Sequence, residues 1–254
     1  MKATYHTHTL RCHHAVGDIE DYILAAKEAG TLTLGFSEHT PYVFPDGFRS
    51  KIRLQPEEFS DYAADVRKAR AAHPDMQIHL GLEVEYFPKL FPDLMDRIRD
   101  EGIEYIIMGQ HWLDSESGAE YNGRPTEDVN KLIRYCDHVI EGMQTGLFSY
   151  IAHPDLIRYQ GDRRTFETQL RRICREAKAC HIPLEINLHG LRENRHYPNP
   201  LFWQIAREEG CSVILGRDAH KPEEMLDTVT MQRARELLKE WDLQPIQELK
   251  LVKP

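Results

Sequence analysis

Histidine and carboxylate residues recur along this chain at spacings suited to holding metal ions. His6 and His8 stand two apart in an extended-type stretch, which as a strand puts both imidazoles on one face, where two nitrogens can reach one cation. Asp218 and His220 repeat that spacing far downstream. Between them His39, Glu83, His111 and His153 each fall at or just beyond the end of a short apolar run. With His14 from the first loop, the candidate ligands are His6, His8, His14, His39, Glu83, His111, His153, Asp218 and His220. That set exceeds what one tetrahedral ion takes and suffices for two or three ions if Glu83 bridges. Imidazole and carboxylate without thiolate suit zinc, manganese or iron. Paired divalent ions about 3.5–4 Å apart can hold a hydroxide between them and clamp a transferring phosphoryl group, so hydrolysis of a phosphate ester is the chemistry indicated.

Phosphate recognition calls for cations that are not ligands. Arg158 lies just beyond His153-Pro154-Asp155 and Arg192 just beyond His189. The planar fork of arginine matches phosphate oxygens, so these two are the expected substrate clamps, ahead of Arg124, Arg195 and Arg217. The departing alkoxide is expected to be served by a metal ion directly or by Asp218 or His220 acting through a water. Other histidines read as structural: His138 within a helix, His181 at a helix C-terminus, His73 before Pro74, and His79 deeper on the strand of Glu83. His13 is the alternative to His14, and His196 reads as a loop residue. Cys12 has no ordered Cys, His and Asn arrangement around it to support a nucleophile. No G-x-x-x-x-G-K-[ST], G-x-G-x-x-G or G-x-S-x-G motif occurs.

The elements that must position these residues alternate. Strand patterns at 3–6, 32–37, 77–83, 105–109, 149–152, 183–187 and 212–216 are interleaved with helical patterns at 18–29, 56–72, 91–101, 126–145, 165–181 and 200–209, with two short helices before the tail. Seven βα units of this kind predict parallel strands joined by helical crossovers. A closed barrel is favoured over an open sheet, because the ligand-type residues recur after every strand and only a barrel gathers all those ends on one rim. The expected fold is therefore an α/β, distorted seven-stranded (β/α) barrel, similar to a TIM barrel. No linker, repeat or low-complexity stretch interrupts it, so one domain over 1–254 is expected.

Composition narrows the function classes. The 41 acidic residues outnumber the 32 basic ones, for a net charge of −9, which argues against a broad surface for nucleic acid or anionic lipid. The five cysteines include no C-x-x-C pair, so neither a disulfide framework nor a thiolate zinc site is indicated and a reducing cytoplasm is the expected setting. Neither a secretory signal nor an apolar run near the ~18 residues of a membrane span is found. Histidine is the outlier, at 14 of 254 residues, and half of these are candidate ligands.

Those residues together resemble the PHP (polymerase and histidinol phosphatase) family of metal-dependent phosphoesterases, over nearly the whole chain. The opening pattern is His6-Thr7-His8-Thr9 followed by Cys12 and His14. Ser37-Glu38-His39-Thr40-Pro41, Gly81-Leu82-Glu83-Val84-Glu85, His153 to Arg158 and Gly216 to His220 follow it. The resemblance implies a trinuclear centre of manganese, iron or zinc. It assigns His6, His8, Glu83 and Asp218 to one ion, Glu83, His111 and His153 to a second, and His14, His39 and His220 to a third. Gly190-Leu191-Arg192 with Tyr197-Pro198 resembles a phosphate-binding segment of the monofunctional histidinol-phosphate phosphatases, which implies L-histidinol phosphate as substrate. Another small phosphate ester or a nucleotide is the alternative. Gln110, Arg217 and Leu188-His189 depart from the family's small or small polar residues. Glu38, Glu85 and Glu116 are the acidic residues considered as partners for a cationic amine.

Overall fold

Each strand-forming run pairs with the next along the chain. In the computed structural model, which describes residues 1–254, the elements run β1 (Ala3–Thr4), α1 (Ile19–Glu28), β2 (Thr33–His39), α2 (Phe59–Ala72), β3 (Gln77–Val84), α3 (Phe91–Asp100), β4 (Tyr105–Met108) and α4 (Val129–Gln144). They continue with β5 (Tyr150–Ile151), α5 (Arg163–Ala179), β6 (Leu184–Asn187), α6 (Leu188–Arg192), α7 (Pro200–Glu209), β7 (Val213–Gly216) and α8 (Thr228–Glu240). The strands form one parallel sheet in the order β1 to β7. Beyond the regular strands, a parallel bridge between Thr7 and Ala219 brings the first and last edges together, with the His8 amide donating to the Ala219 carbonyl at 2.9 Å. The sheet is thus a nearly closed seven-stranded barrel of TIM-barrel type, as expected.

Strand alternation divides the apolar residues into two shells. Leu34, Phe36, Leu80, Leu82, Ile106 and Met108 face outward into the main core beneath the helices. Their neighbours Tyr5, Tyr105, Ile107, Tyr150, Ala152 and Ile214 face inward and fill the barrel. The C-terminal tail closes the base: the Ile246 amide donates to the Val213 carbonyl, and Ile246, Leu249 and Leu251 pack under the inner cluster. No helix is long and apolar enough to cross a membrane.

Several boundaries shift for identifiable reasons. The helix expected from Thr126 starts at Val129, because the Asp128 side chain caps the Asn130 amide while Thr126 is held in a bridge with Tyr159. The segment after β6, read as a loop, begins with α6, whose Gly190 amide is capped by the Asn187 side chain at 2.9 Å. His79 does not fill the core as expected; it lies at the base of β3, 3.4 Å from Glu104.

Tyr105 spans the barrel interior, donating to the carbonyls of Tyr5 (2.8 Å) and Phe36 (3.1 Å). Its ring occupies space that opens because Gly35 and Gly81 lack side chains, and a Cβ at either position would overlap it. Gly81→Ala is expected to cost ~1–3 kcal/mol in denaturant titration through overpacking against a ring that cannot move.

Glu104 ties the barrel base, accepting two bonds from Arg70 at 2.7 Å and one from the Leu80 amide at 3.1 Å. Burial opposes its charge, but His79, Arg70 and the Leu80 amide bring its pKa from an ordinary 4.5 down to about 2. A depressed carboxylate contributes stability that is present above the unfolded value and lost as pH falls through the folded one. The melting temperature of Glu104→Gln is therefore expected to fall less than that of the parent between pH 4.5 and 2.

Candidate metal centre

The C-terminal strand ends meet on one rim, and the candidate ligands meet there with them. Glu83, at the end of β3, is 1% exposed and splits its surroundings by oxygen. Its Oε2 faces His6 Nε2 at 3.4 Å, His8 Nε2 at 3.5 Å and His39 Nδ1 at 3.0 Å. Its Oε1 faces His153 Nε2 at 2.8 Å and His111 Nε2 at 3.5 Å. Asp218 Oδ1 lies 3.4 Å from His6 Nε2 and 3.3 Å from His8 Nε2. On the outer side His14 and His220 bring their Nε2 atoms to 3.0 Å, and the His14 and His39 rings stack at 5.2 Å. All nine candidate ligands are therefore brought together, with His14 rather than His13, which is exposed and turned toward Glu58.

These contacts fit metal ions better than one another. Donors on a tetrahedral ion with bonds of ~2.1 Å stand about 3.4 Å apart, matching the separations among His6, His8, Glu83 and Asp218. His6 Nε2, both ring nitrogens of His8 and Glu83 Oε2 are buried with no hydrogen-bond partner, an arrangement that is costly unless a cation satisfies them. His6–His8–Glu83, His8–His39–His220 and His6–His153–Asp218 are among the groups whose donor atoms lie within 4.8 Å of one another.

Two carboxylates and two imidazoles of the cluster hold the charge states that ligation needs. Burial disfavours charge on Glu83, yet His111, His6 and His39 hold it well below the carboxylate range. Asp218 is likewise buried and held low by His6 and His8. Burial and the neighbouring His8 push His39 and His220 well below the imidazole range, leaving them neutral at pH 7. His8 moves the other way, to about 9: burial opposes its charge, but the Asp218 and Glu38 carboxylates, 3.3 and 3.8 Å away, outweigh it.

A second set of groups, not anticipated from the sequence, orients the ligands. Glu185 on β6, fully buried, meets His6 Nδ1 at 2.8 Å and accepts from the His153 amide at 3.0 Å and from Asn187 at 2.8 Å. Glu85 meets His111 Nδ1 at 2.8 Å, and the Cys12 carbonyl meets His14 Nδ1 at 2.8 Å. Such partners fix the ring so that its other nitrogen faces the ion. Gly109 and Gly216 make room for the carboxylates, since a Cβ at either would overlap Glu83 or Glu185 respectively. His153 and Asp218 sit in the left-handed region, at φ 29° and 47°, which costs about 1–3 kcal/mol each and marks a site held in place by its surroundings.

A cavity of about 530 Å³ opens over the centre. Ile52, Trp112, Tyr121 and Tyr197 line it, together with the cations Arg195 and Lys221 and the carboxylate Glu193. The two expected phosphate clamps are placed elsewhere. Arg158 is exposed and outside the lining, because the Thr126–Tyr159 bridge turns Tyr159 inward and the alternate residue outward. Arg192 ends α6 and is held by Glu224 at 3.1 Å and Asp227 at 3.0 Å. Arg195, ranked lower from sequence, is the arginine on the cavity wall, donating to the Tyr197 hydroxyl at 3.1 Å. Of the acidic residues that could face a substrate amine, Glu85 and Glu116 are both paired with Arg53, and Glu38 accepts from Thr9. Gln110 and Arg217 are buried structural residues off the lining, whereas His189 lines the cavity.

Comparison with known proteins places this arrangement. The family model described as the PHP domain matches residues 4–189. A "Probable histidinol-phosphatase" of Deinococcus radiodurans is 28% identical over 230 residues, covering 87% of this chain and 86% of that protein. Another of the same name from Schizosaccharomyces pombe is 25% identical over 255 residues, covering 89% and 82%. The crystal structure of histidinol phosphate phosphatase from Lactococcus lactis subsp. lactis, complexed with zinc, L-histidinol and phosphate, shares the fold at a TM-score of 0.74 and 19% identity, covering 96% of this chain and 95% of that one.

Gly109→Ala tests the centre without touching a ligand. The added carbon must displace Glu83, so most of the bound metal is expected to be lost in elemental analysis, while far-ultraviolet circular dichroism stays that of the parent.

Proposed function

The chain belongs to the PHP family, and from that premise we propose that residues 1–254 form one barrel domain that hydrolyses L-histidinol phosphate to L-histidinol and phosphate. The observation that carries the reaction is the split environment of Glu83 at the floor of a cavity with a cationic wall. The names of the two relatives and the contents of the Lactococcus crystal structure support the substrate. Five unpaired cysteines support a cytoplasmic setting.

His6, His8, Glu83 and Asp218 would hold one divalent ion, Glu83, His111 and His153 a second, and His14, His39 and His220 a third, with zinc, manganese or iron all suited to this donor set. Bound there, such ions would lower the pKa of water and offset the charge that gathers on the phosphoryl oxygens. The chain's own residues do the rest. Arg195 has no carboxylate partner and directs its guanidinium to the substrate's phosphate dianion. Arg192, held by Glu224, steadies the segment around His220, whose amide donates to the same Glu224 at 2.8 Å. Asp218 as a carboxylate and neutral His220 orient a water, and that water is the proton source for the departing alkoxide. Trp112, Tyr121 and Tyr197 enclose the organic part of the substrate.

Phosphate release from a panel of small esters, run on the preparation used for elemental analysis, tests this reading. Selective turnover of histidinol phosphate, abolished by chelator, is expected. Turnover of nucleotides without histidinol phosphate would overturn the substrate assignment. Arg195→Ala is expected to lower kcat/KM by ~10–100-fold, the loss of a charge-assisted bond of about 1.5–3 kcal/mol, and Arg158→Ala to stay near the parent.

A further inference from the structure

Arg53 is 1% exposed and lies on the irregular segment between β2 and α2, which holds none of the residues so far assigned to the centre. Its Nη1 and Nη2 donate to the two oxygens of Glu85 at 2.7 and 2.6 Å, and its Nε donates to Glu116 at 2.5 Å. The Glu85 oxygen reached by Nη2 is the one that meets His111 Nδ1. Glu116 also accepts from Ser50 at 2.8 Å, and the Trp112 ring centroid lies 5.2 Å from the guanidinium carbon. One cation thus joins three segments: its own, the end of β3, and the loop after β4 that carries His111, Trp112 and Glu116.

We propose that Arg53 is a positioning residue, which locks the orientation of His111 through Glu85 and ties that histidine to the Ile52–Trp112 wall of the cavity. The proposal rests on His111 being a metal ligand. Two parallel bonds to Glu85 fix the carboxylate plane, which leaves His111 one donor direction and turns its Nε2 toward Glu83. Burying a guanidinium is expensive, and a pair of this kind is seldom more stabilising than apolar side chains of equal volume. Its value here is directional. The adjacent Ile52 and the loop residue Trp112 both line the cavity, so the same bonds that orient the ligand set the distance between wall and centre.

The test dialyses the zinc-loaded protein against a graded series of chelator and counts zinc per chain. Arg53→Lys keeps the charge but cannot make the forked bonds, and is expected to release one zinc at ~10–100-fold weaker chelation than the parent while the others stay. Glu116→Gln, which loosens only the wall, is expected to raise KM with the parent's zinc retention. A folded Arg53→Lys with the parent's release curve overturns the proposal. If Arg53→Lys does not fold, Glu85→Gln decides, because Glu85 is the group through which Arg53 is proposed to act on the His111 ring: early loss of one zinc supports the proposal and unchanged retention overturns it. His111→Ala separates the underlying reading, since a variant that keeps every zinc removes His111 from the ligand set.

Discussion

A buried carboxylate faced by five imidazoles is the constraint from which the rest of the molecule follows. Glu83 could not stay ionised there alone, since burial by itself drives a carboxyl toward its neutral form. His39, His6 and His8 lie around one oxygen and His153 and His111 around the other, so the charge is shared between two clusters that a single side chain joins. Bringing those imidazoles together requires the ends of the first five strands to converge, and a barrel is the arrangement that allows it. Gly109 then becomes obligatory, because any side chain on that strand end would occupy the carboxylate's place.

Around this centre a second layer has been built from groups that would be liabilities elsewhere. Glu185 and Glu85 are buried carboxylates that face imidazoles of the cluster, His6 and His111, and Glu85 is paired with Arg53 as well. Glu185 also holds the His153 amide, which keeps that residue in a strained backbone region. Support of this kind gives precision rather than stability. The main core under the helices and the tyrosine-filled interior carry the stability.

The fold and the convergence of the candidate ligands were legible because each is local. A strand pattern ending in histidine or a carboxylate reads the same way at every turn of the barrel, and convergence needs only the closure of the sheet. Glu185 was not legible, because it looks like any strand carboxylate until His6, 179 residues away, is seen to face it. Arg53 and Glu85 are nearer, 32 residues apart, but nothing in the sequence marks that arginine as buried. The outward turn of Arg158 was not legible, because a single bridge between Thr126 and Tyr159 sets which side chains of that segment face outward, nor was the pairing of Arg192, because no helical pattern marks the short α6 that ends on it.

The tyrosines that fill the barrel and the tail that packs under its base occupy the lower end of the same strands whose upper ends carry Glu83 and the cavity. Stability and access therefore sit at opposite ends of one sheet. Packing at the base can change without altering the route by which a small molecule reaches the rim.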